Sequence, residues 1–325
     1  MINAVRDNRG IALILTILVV SLVVALTLQF NAAMRSNLHA AVNLSDGIKL
    51  GCIARSGFNG ALAVLHVDGF SGNVDTLRED WAYIRAFSEA SISLFEEGHF
   101  LVDVMDLSGR IQINRLVNEE GGYNDTQKNI LLRFLGFPEF GLDADEVENI
   151  VDAVKDWIDE DNEATRFGAE DAYYLTLEEP YPCKNGSFEF PEEILLVRGM
   201  TKELFSGMEE RPGISRYLST YGEGKININT ADPLVLRALS DRMDEELAEE
   251  MVAYRMDEDN DLSDVNWYKG VPGMGDVTIP GDLITTSSTH FEIISEGIKD
   301  ALRRKIIGIV ERKDDKLAIL SWKVD

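Results

Sequence analysis

Cysteine is nearly missing from this sequence: two in 325 residues, Cys52 and Cys183. Two thiols are too few for a disulfide scaffold, and the lack of any CxxC pair excludes the metal and redox centres built on it. In an oxidising compartment the two could bridge, but distance along a chain says nothing of distance in space. Histidine is almost as scarce. His39, His66, His99 and His290 stand far apart and form no HExxH pair or triad pattern. Two glycine-rich stretches, "GFNG" at Gly57 and "PGMGD" at Pro272, are not followed by the lysine–serine pair of a phosphate loop. Ser215, Ser219 and Ser240 have no acid–base partner visible in the sequence. Positive charge is short too, with 31 basic against 57 acidic residues and a net charge of -26. Phosphate contacts need lysine and arginine, so such a field repels nucleic acid and anionic headgroups and favours cations.

What the chain does have is one long apolar run near its start. Eighteen residues, Ile11 to Leu28, carry no charge. As a helix they reach about 27 Å, just short of a bilayer's hydrocarbon core. The leader "MINAVRDNRG" places Arg6 and Arg9 before the run, which predicts a cytoplasmic N-terminus and an exported remainder. A secretory signal would have a shorter apolar core and a small-residue cleavage site beyond it, and "NAA" at Asn31 matches poorly. A plain single-span anchor fits the same residues.

Beyond the run, Ala33, Leu38, Ala41, Leu44, Ile48, Cys52, Leu62 and Leu65 recur at helical steps. Gly47, Gly51, Gly57 and Gly60 weaken that pattern without ending it. The expectation is one helix over 11–67, lipid-facing first and amphipathic later. "HFLVDVMDLSGRIQINRL" (His99 to Leu116) alternates around "LSG" and predicts a β-hairpin. "HFEIISEGIK", "LRRKIIGIVERK" and "KLAILSWKVD" predict three more strands at the C-terminal end. The middle is acidic, helical and rich in loops, and it contains an echo: "GRIQINRL" at Gly109 matches "GKININTA" at Gly224. A pair of periodic helices follows each copy, with Asp143 and Asp232 as N-caps and Pro233 at a first helical position. Two copies are too few for a solenoid and read as related modules. The fold class is α+β: a long hydrophobic helix, an antiparallel sheet and a large helical insertion. The expected divisions are a leader over 1–10, a stem over 11–67, an α/β part over 68–117 and 289–325, and an inserted domain over 118–288.

The leader ending in Gly10 against the apolar run resembles the signal of type IV prepilins and type II secretion pseudopilins. The resemblance extends over most of the chain to the K subunits of the type II secretion system. It is carried by "DWIDEDNEA…GAEDAYY", "EILLVRGMTKELF" and "GKININTADPLVLRAL". It implies cleavage by a prepilin peptidase between Gly10 and Ile11, with methylation of Ile11. Loss of the leader would move the net charge from -26 to -27, since two arginines and one aspartate leave. Most such subunits have glutamate at the fifth mature position, where a neighbour's amine pairs with it; here that place is Leu15. A buried carboxylate in lipid is costly unless paired, so a subunit without it has no preceding neighbour to neutralise. The resemblance therefore implies a minor pseudopilin at the tip of the pseudopilus, anchored in the inner membrane with a periplasmic body. Its partners would be other minor pseudopilins and the major one, and nucleic acid would not be among them.

In "DWIDEDNEATRFGAEDAYY", Asp159, Asp161 and Glu163 alternate and Glu170 stands twelfth counting from Asp159. Carboxylates so spaced can surround a hard cation. Ala164 stands where an EF-hand needs glycine, so this is not one. The resemblance implies calcium in the helical domain, and the residues expected to bind it are Asp159, Asp161, Glu170 and Asp171, with Asn162 and Glu163 as helpers. A solvated acidic loop is the plainer alternative. "RMDEDNDLSD", with Asp257, Asp259, Asp261 and Asp264, has similar spacing and reads as a solvated loop that ends a helix. Two other function classes stay open: a membrane-anchored periplasmic metal-dependent enzyme using the acidic loop, and a DNA receptor using the helix pairs. Against the second, Asp241, Asp244, Glu245 and Glu246 would meet phosphate at the bend.

Overall fold

The computed structural model describes residues 9–325 apart from 71, 73, 314 and 315. Arg6 and most of the expected leader lie outside the described residues. One helix, α1 (Arg9–Gly69), leads into the short α2 (Ile84–Glu89) and the strand β1 (His99–Asp106). There follow β2 (Ile111–Gln112), α3 (Asp125–Leu135), α4 (Ala144–Ile158), α5 (Asp171–Tyr174) and α6 (Lys202–Ser206). Four two-residue strands come next: β3 (Gly207–Met208), β4 (Arg211–Pro212), β5 (Leu218–Ser219) and β6 (Ile226–Asn227). After α7 (Pro233–Ala238), α8 (Glu245–Met256) and β7 (Ile284–Thr285), three long strands finish the fold. These are β8 (His290–Lys299), β9 (Leu302–Lys313) and β10 (Lys316–Val324), as their alternating β-branched residues predict.

The first lobe is α1 on a four-stranded antiparallel sheet of order β1-β8-β9-β10. Leu50, Ile53, Ala54, Phe58, Ala61 and Leu65 recur at three- and four-residue steps and are all buried. Ala54, Phe58, Ala61 and Leu65 share a core with Val102, Val104, Phe291, Ile293, Ile306 and Val310. Close approach explains why glycine sits inside the helix, where it ordinarily costs about 1 kcal/mol against alanine. A Cβ at Gly57 would lie 2.5 Å from Ser295 Oγ, and one at Gly297 would lie 2.2 Å from the Leu50 carbonyl oxygen. The helix therefore rests directly on β8, and Ser295 Oγ donates to the Ala54 carbonyl at 2.7 Å.

The expected hairpin over His99–Leu116 does not form. β1 pairs with β8 along its whole length, from His99 opposite Ile298 to Asp106 opposite Phe291. β2 leaves this sheet and pairs in parallel with β5. The alternation was genuine, but Val102 and Val104 belong to one core while Ile111, Ile113 and Leu116 belong to another. The "LSG" step is thus a crossing between lobes.

The second lobe has its own core, from Ile111 to Ile284, around Phe134, Val151, Trp157, Tyr174, Ile228 and Leu236. The internal echo is a structural repeat. β2 pairs with β5 and β6 pairs with β7, both parallel and both two residues long. Two residues past each strand an asparagine pins the partner segment. Asn114 Nδ2 donates to the Phe188 and Thr220 carbonyls at 2.9 and 2.8 Å. Asn229 Nδ2 donates to the Leu262 and Thr286 carbonyls at 3.3 and 3.4 Å, and Trp267 Nε1 donates to Asn229 Oδ1 at 2.7 Å. Asp143 closes a capping box with Glu146, and Asp232 accepts from Leu234 N at 3.1 Å beside Pro233.

A polar hub ties the lobes together. Asp75 accepts from Ser288 N at 2.6 Å and pairs with Arg312, which also reaches Asp68 at 2.7 Å. Asn227 Nδ2 donates to the Asp75 carbonyl at 3.1 Å and to Ser288 Oγ at 2.7 Å, and Ser288 Oγ donates to Asp106 Oδ2 at 2.6 Å.

Candidate functional sites: the projecting stem and a buried carboxylate cluster

Every residue from Gly10 to Ser45 is exposed, and the first buried side chain of α1 is Asp46. With 61 residues, the helix is about 90 Å long, so more than half of it projects from the body. This is the one helix among the described residues long and apolar enough to cross a membrane. Ile11 and Leu15 are 65% and 62% exposed, which no aqueous setting would favour for a run of such residues. Beyond the run, Phe30, Met34, Leu38 and Val42 repeat at four-residue steps and stay exposed, an apolar stripe outside the hydrocarbon span. Gly10 and Ile11 lie within regular helix, with the bond between them on an exposed surface.

The second candidate grows out of α4. One face of α4, Val147, Ile150, Val151, Val154 and Ile158, fills the core. Asp152, Asp156 and Asp159 fall on another face at four- and three-residue steps, and all three are buried. They hold the loop that returns from α4. Asp152 Oδ2 accepts from Phe167 N at 3.1 Å, and both oxygens of Asp156 accept from Thr165 N at 3.1 and 3.0 Å. Gly168 is required there, since a Cβ would sit 1.9 Å from Asp156 Oδ2. The loop delivers Glu170, and oxygens of Asp156, Asp159 and Glu170 lie within 4.8 Å of one another.

Two of these carboxylates meet a single ammonium. Lys155 Nζ bonds Asp159 Oδ2 and lies 3.8 Å from Asp156 Oδ1. Among the described residues neither oxygen of Glu170 has a hydrogen-bond partner, nor has Asp159 Oδ1, although both residues are 2% exposed. Burial pushes the Glu170 carboxyl up to about 7 despite the Cys183 thiol beside it, with Asp156, Asp159 and Asp161 adding repulsion. Burial also raises Asp156 and Asp159, against the pull of Lys155. Three buried carboxylates, two of them with orphaned oxygens, beside one lysine make a donor set that suits a hard divalent cation.

Of the residues expected to bind a cation, the structure brings Asp159 and Glu170 together and places two elsewhere. Asp161 is exposed, and its Oδ1 accepts from Glu163 N at 2.7 Å. Asp171 Oδ1 accepts from Cys183 N at 2.8 Å, and its own N donates to Asn162 Oδ1 at 3.3 Å. Asn162 and Glu163 are exposed. Asp156 is the member that reading along the loop missed. Its signal was helical: an acid four residues after Asp152 and three before Asp159. In the second acidic run, Asp257, Asp261 and Asp264 each accept from the backbone two residues on, so these carboxylates are spent on turns. At the bend before α8, Asp244 caps Leu247 N at 2.9 Å and Asp241 pairs with Arg133. Cys52 is exposed on the stem and Cys183 buried in the second lobe, both as free thiols.

Family models of the type II secretion system protein K match residues 109–210 and 226–286. The chain is 25% identical over 345 residues to the type II secretion system protein K of Aeromonas hydrophila, covering 97% of this chain and 96% of that one. It is 31% identical over 116 residues to the protein K of Pectobacterium carotovorum subsp. carotovorum, covering 33% and 35%. Its fold is similar to a chain in the crystal structure of the GspK-GspI-GspJ complex from the enterotoxigenic Escherichia coli type 2 secretion system. That likeness has a TM-score of 0.67 at 18% identity and covers 90% of this chain and 99% of the other.

Proposed function

The chain belongs to the type II secretion system protein K family, a family of minor pseudopilins, and from that premise we propose that it caps the tip of the pseudopilus. The observation that carries this reading is the projecting stem: apolar, exposed from Gly10 to Ser45, and fixed to the body only at its far end. In the inner membrane the stretch from Ile11 to Leu28 lies in hydrocarbon, and the body stands in the periplasm. In the filament the same surface packs against other stems, with the Phe30-Met34-Leu38-Val42 stripe extending the contact past the bilayer. Leu15 offers no carboxylate to a preceding subunit's amine, and the second lobe adds bulk above the sheet. Both favour growth on one side only. The partners are other minor pseudopilins, as in the relative found assembled with GspI and GspJ. A prepilin peptidase frees Ile11 by cutting behind Gly10.

Within the second lobe, Asp156, Asp159 and Glu170 would hold a calcium ion. It would supply the positive charge those orphaned oxygens lack and fasten the returning loop to α4. Co-expression with a prepilin peptidase followed by N-terminal sequencing tests the assignment. The expected product starts at Ile11 and carries a methyl group. A product that keeps Met1 under conditions that process other pseudopilins contradicts it.

A further inference from the structure

One base stands inside the carboxylate cluster. Lys155 lies one turn before Asp159 on α4; its ammonium bonds Asp159 Oδ2 and lies 3.8 Å from Asp156 Oδ1. Its side chain is only 11% exposed. The other bases in this part of the lobe are engaged elsewhere. Lys128 Nζ stands 3.6 Å from the centre of the Tyr123 ring, Lys184 bonds Glu193 at 2.6 Å, and Arg198 donates to the Gly168 carbonyl at 3.1 Å. Among the described residues, Lys155 alone pairs with Asp156 or Asp159. Asp159 also lines a cleft of about 460 Å³. Glu119, Glu120, Glu160 and Asp161 on that cleft are all exposed, and no lysine or arginine is among the described residues lining it.

We propose that Lys155 is a built-in competitor at this site: its ammonium contends with calcium for the oxygens of Asp156 and Asp159, and it must withdraw toward the acidic cleft for the ion to bind. The inference rests on the calcium reading above and adds how the site is regulated. An oxygen engaged by an ammonium is not free for a metal, and two positive charges a few ångströms apart in a buried site repel strongly. Lysine is the base that can yield, because its charge is compact and its four-carbon stem is flexible. The exposed acids of the cleft then receive the ammonium, while the orphaned oxygens of Glu170 and Asp159 gain a cation. At low calcium Lys155 keeps α4 and its returning loop from flying apart; at high calcium it gives way. Competition of this kind weakens the site, so its occupancy follows the surrounding calcium concentration.

Two measurements test this on the full chain in neutral detergent, stripped with EDTA, dialysed and given calcium chloride alone. In titration calorimetry Lys155→Met, which keeps the stem and removes the charge, should bind calcium about ten-fold more tightly than the unaltered chain. Lys155→Arg, which keeps the charge, should show no such gain. The second measurement needs no variant to fold. Acetylation of Lys155 by acetic anhydride, read by mass spectrometry in the unaltered chain, should quicken several-fold on saturation with calcium. That of Lys316, on the sheet of the other lobe, should stay the same. Equal or weaker calcium affinity in Lys155→Met, an equal gain in Lys155→Arg, or labelling of Lys155 that calcium leaves unchanged or slows would overturn the competitor and leave the calcium reading standing. Calcium binding by neither the unaltered chain nor the variants would overturn both.

Discussion

In the first lobe one helical surface, Leu50 to Leu65, lies on strands of eight to twelve residues whose inward side chains alternate. Among the described residues of the second lobe no strand exceeds two residues, and chain segments are joined by buried side-chain amides and carboxylates. Asn114, Asn229, Asp152 and Asp156 each tie backbone from a distant loop or turn. The contrast teaches where stability resides: repeated apolar contact in one lobe, single polar joints in the other. An apolar core loses contact in proportion to the atoms removed, whereas a polar joint fails when one partner is taken away.

That difference can be broken by experiment, and the largest effect is expected in the apolar lobe. Phe58→Ala removes a fully buried ring between α1 and β9 and should cost about 3–5 kcal/mol in urea unfolding. The shift should appear in the fluorescence of Trp81 and spare that of Trp157 and Trp267. An equal shift in both lobes would show that they unfold as one unit and would dissolve the contrast. Chelation with EDTA should do the reverse, loosening the second lobe by about 3 kcal/mol when calcium stood near a hundred times its Kd. Asp156→Asn should abolish that response. A chelator effect on the first lobe alone would place the ion elsewhere.

Smaller effects sharpen the comparison. Asn229→Ala strands Trp267 Nε1 and two carbonyls and should cost about 1–3 kcal/mol; Asn114→Ala, in the matching place of the repeat, should fall in the same range. A large inequality between the two would mean that the repeat is one of shape only. Asp75 joins the lobes and offers a pH test. Burial raises it from 3.8 to about 6, outweighing the nearby Arg312. An acid raised in the folded state favours folding fully below 3.8, and its contribution is lost as pH rises through 6. Asp75 should therefore contribute a decline in stability of about 2 kcal/mol between pH 4 and 7.5, and Asp75→Asn should make the pH dependence shallower by that amount.

The legible part of the fold was the part written in periodicity. The stem from Ile11 to Val67 and the three final strands follow from apolar spacing alone, because their side chains face one core over many residues. The hairpin failed for a physical reason: alternation fixes which face is inward but not which strand lies alongside, and β1 found β8 far along the chain. In the carboxylate cluster, reading the loop residue by residue found Asp159 and Glu170. It passed over Asp156, whose role depends on the turn of α4 and on the loop folding back. The hub around Asp75, Asp106 and Asn227 left no trace in sequence, since each contact joins segments brought together only by the finished topology.

The claim on which the account rests is that this subunit ends a filament. Gold labelling of a tag fused to the exposed surface of the second lobe, imaged on assembled pseudopili, tests it directly. One label at a single end of each filament is the predicted result; labels repeated along the shaft would contradict it.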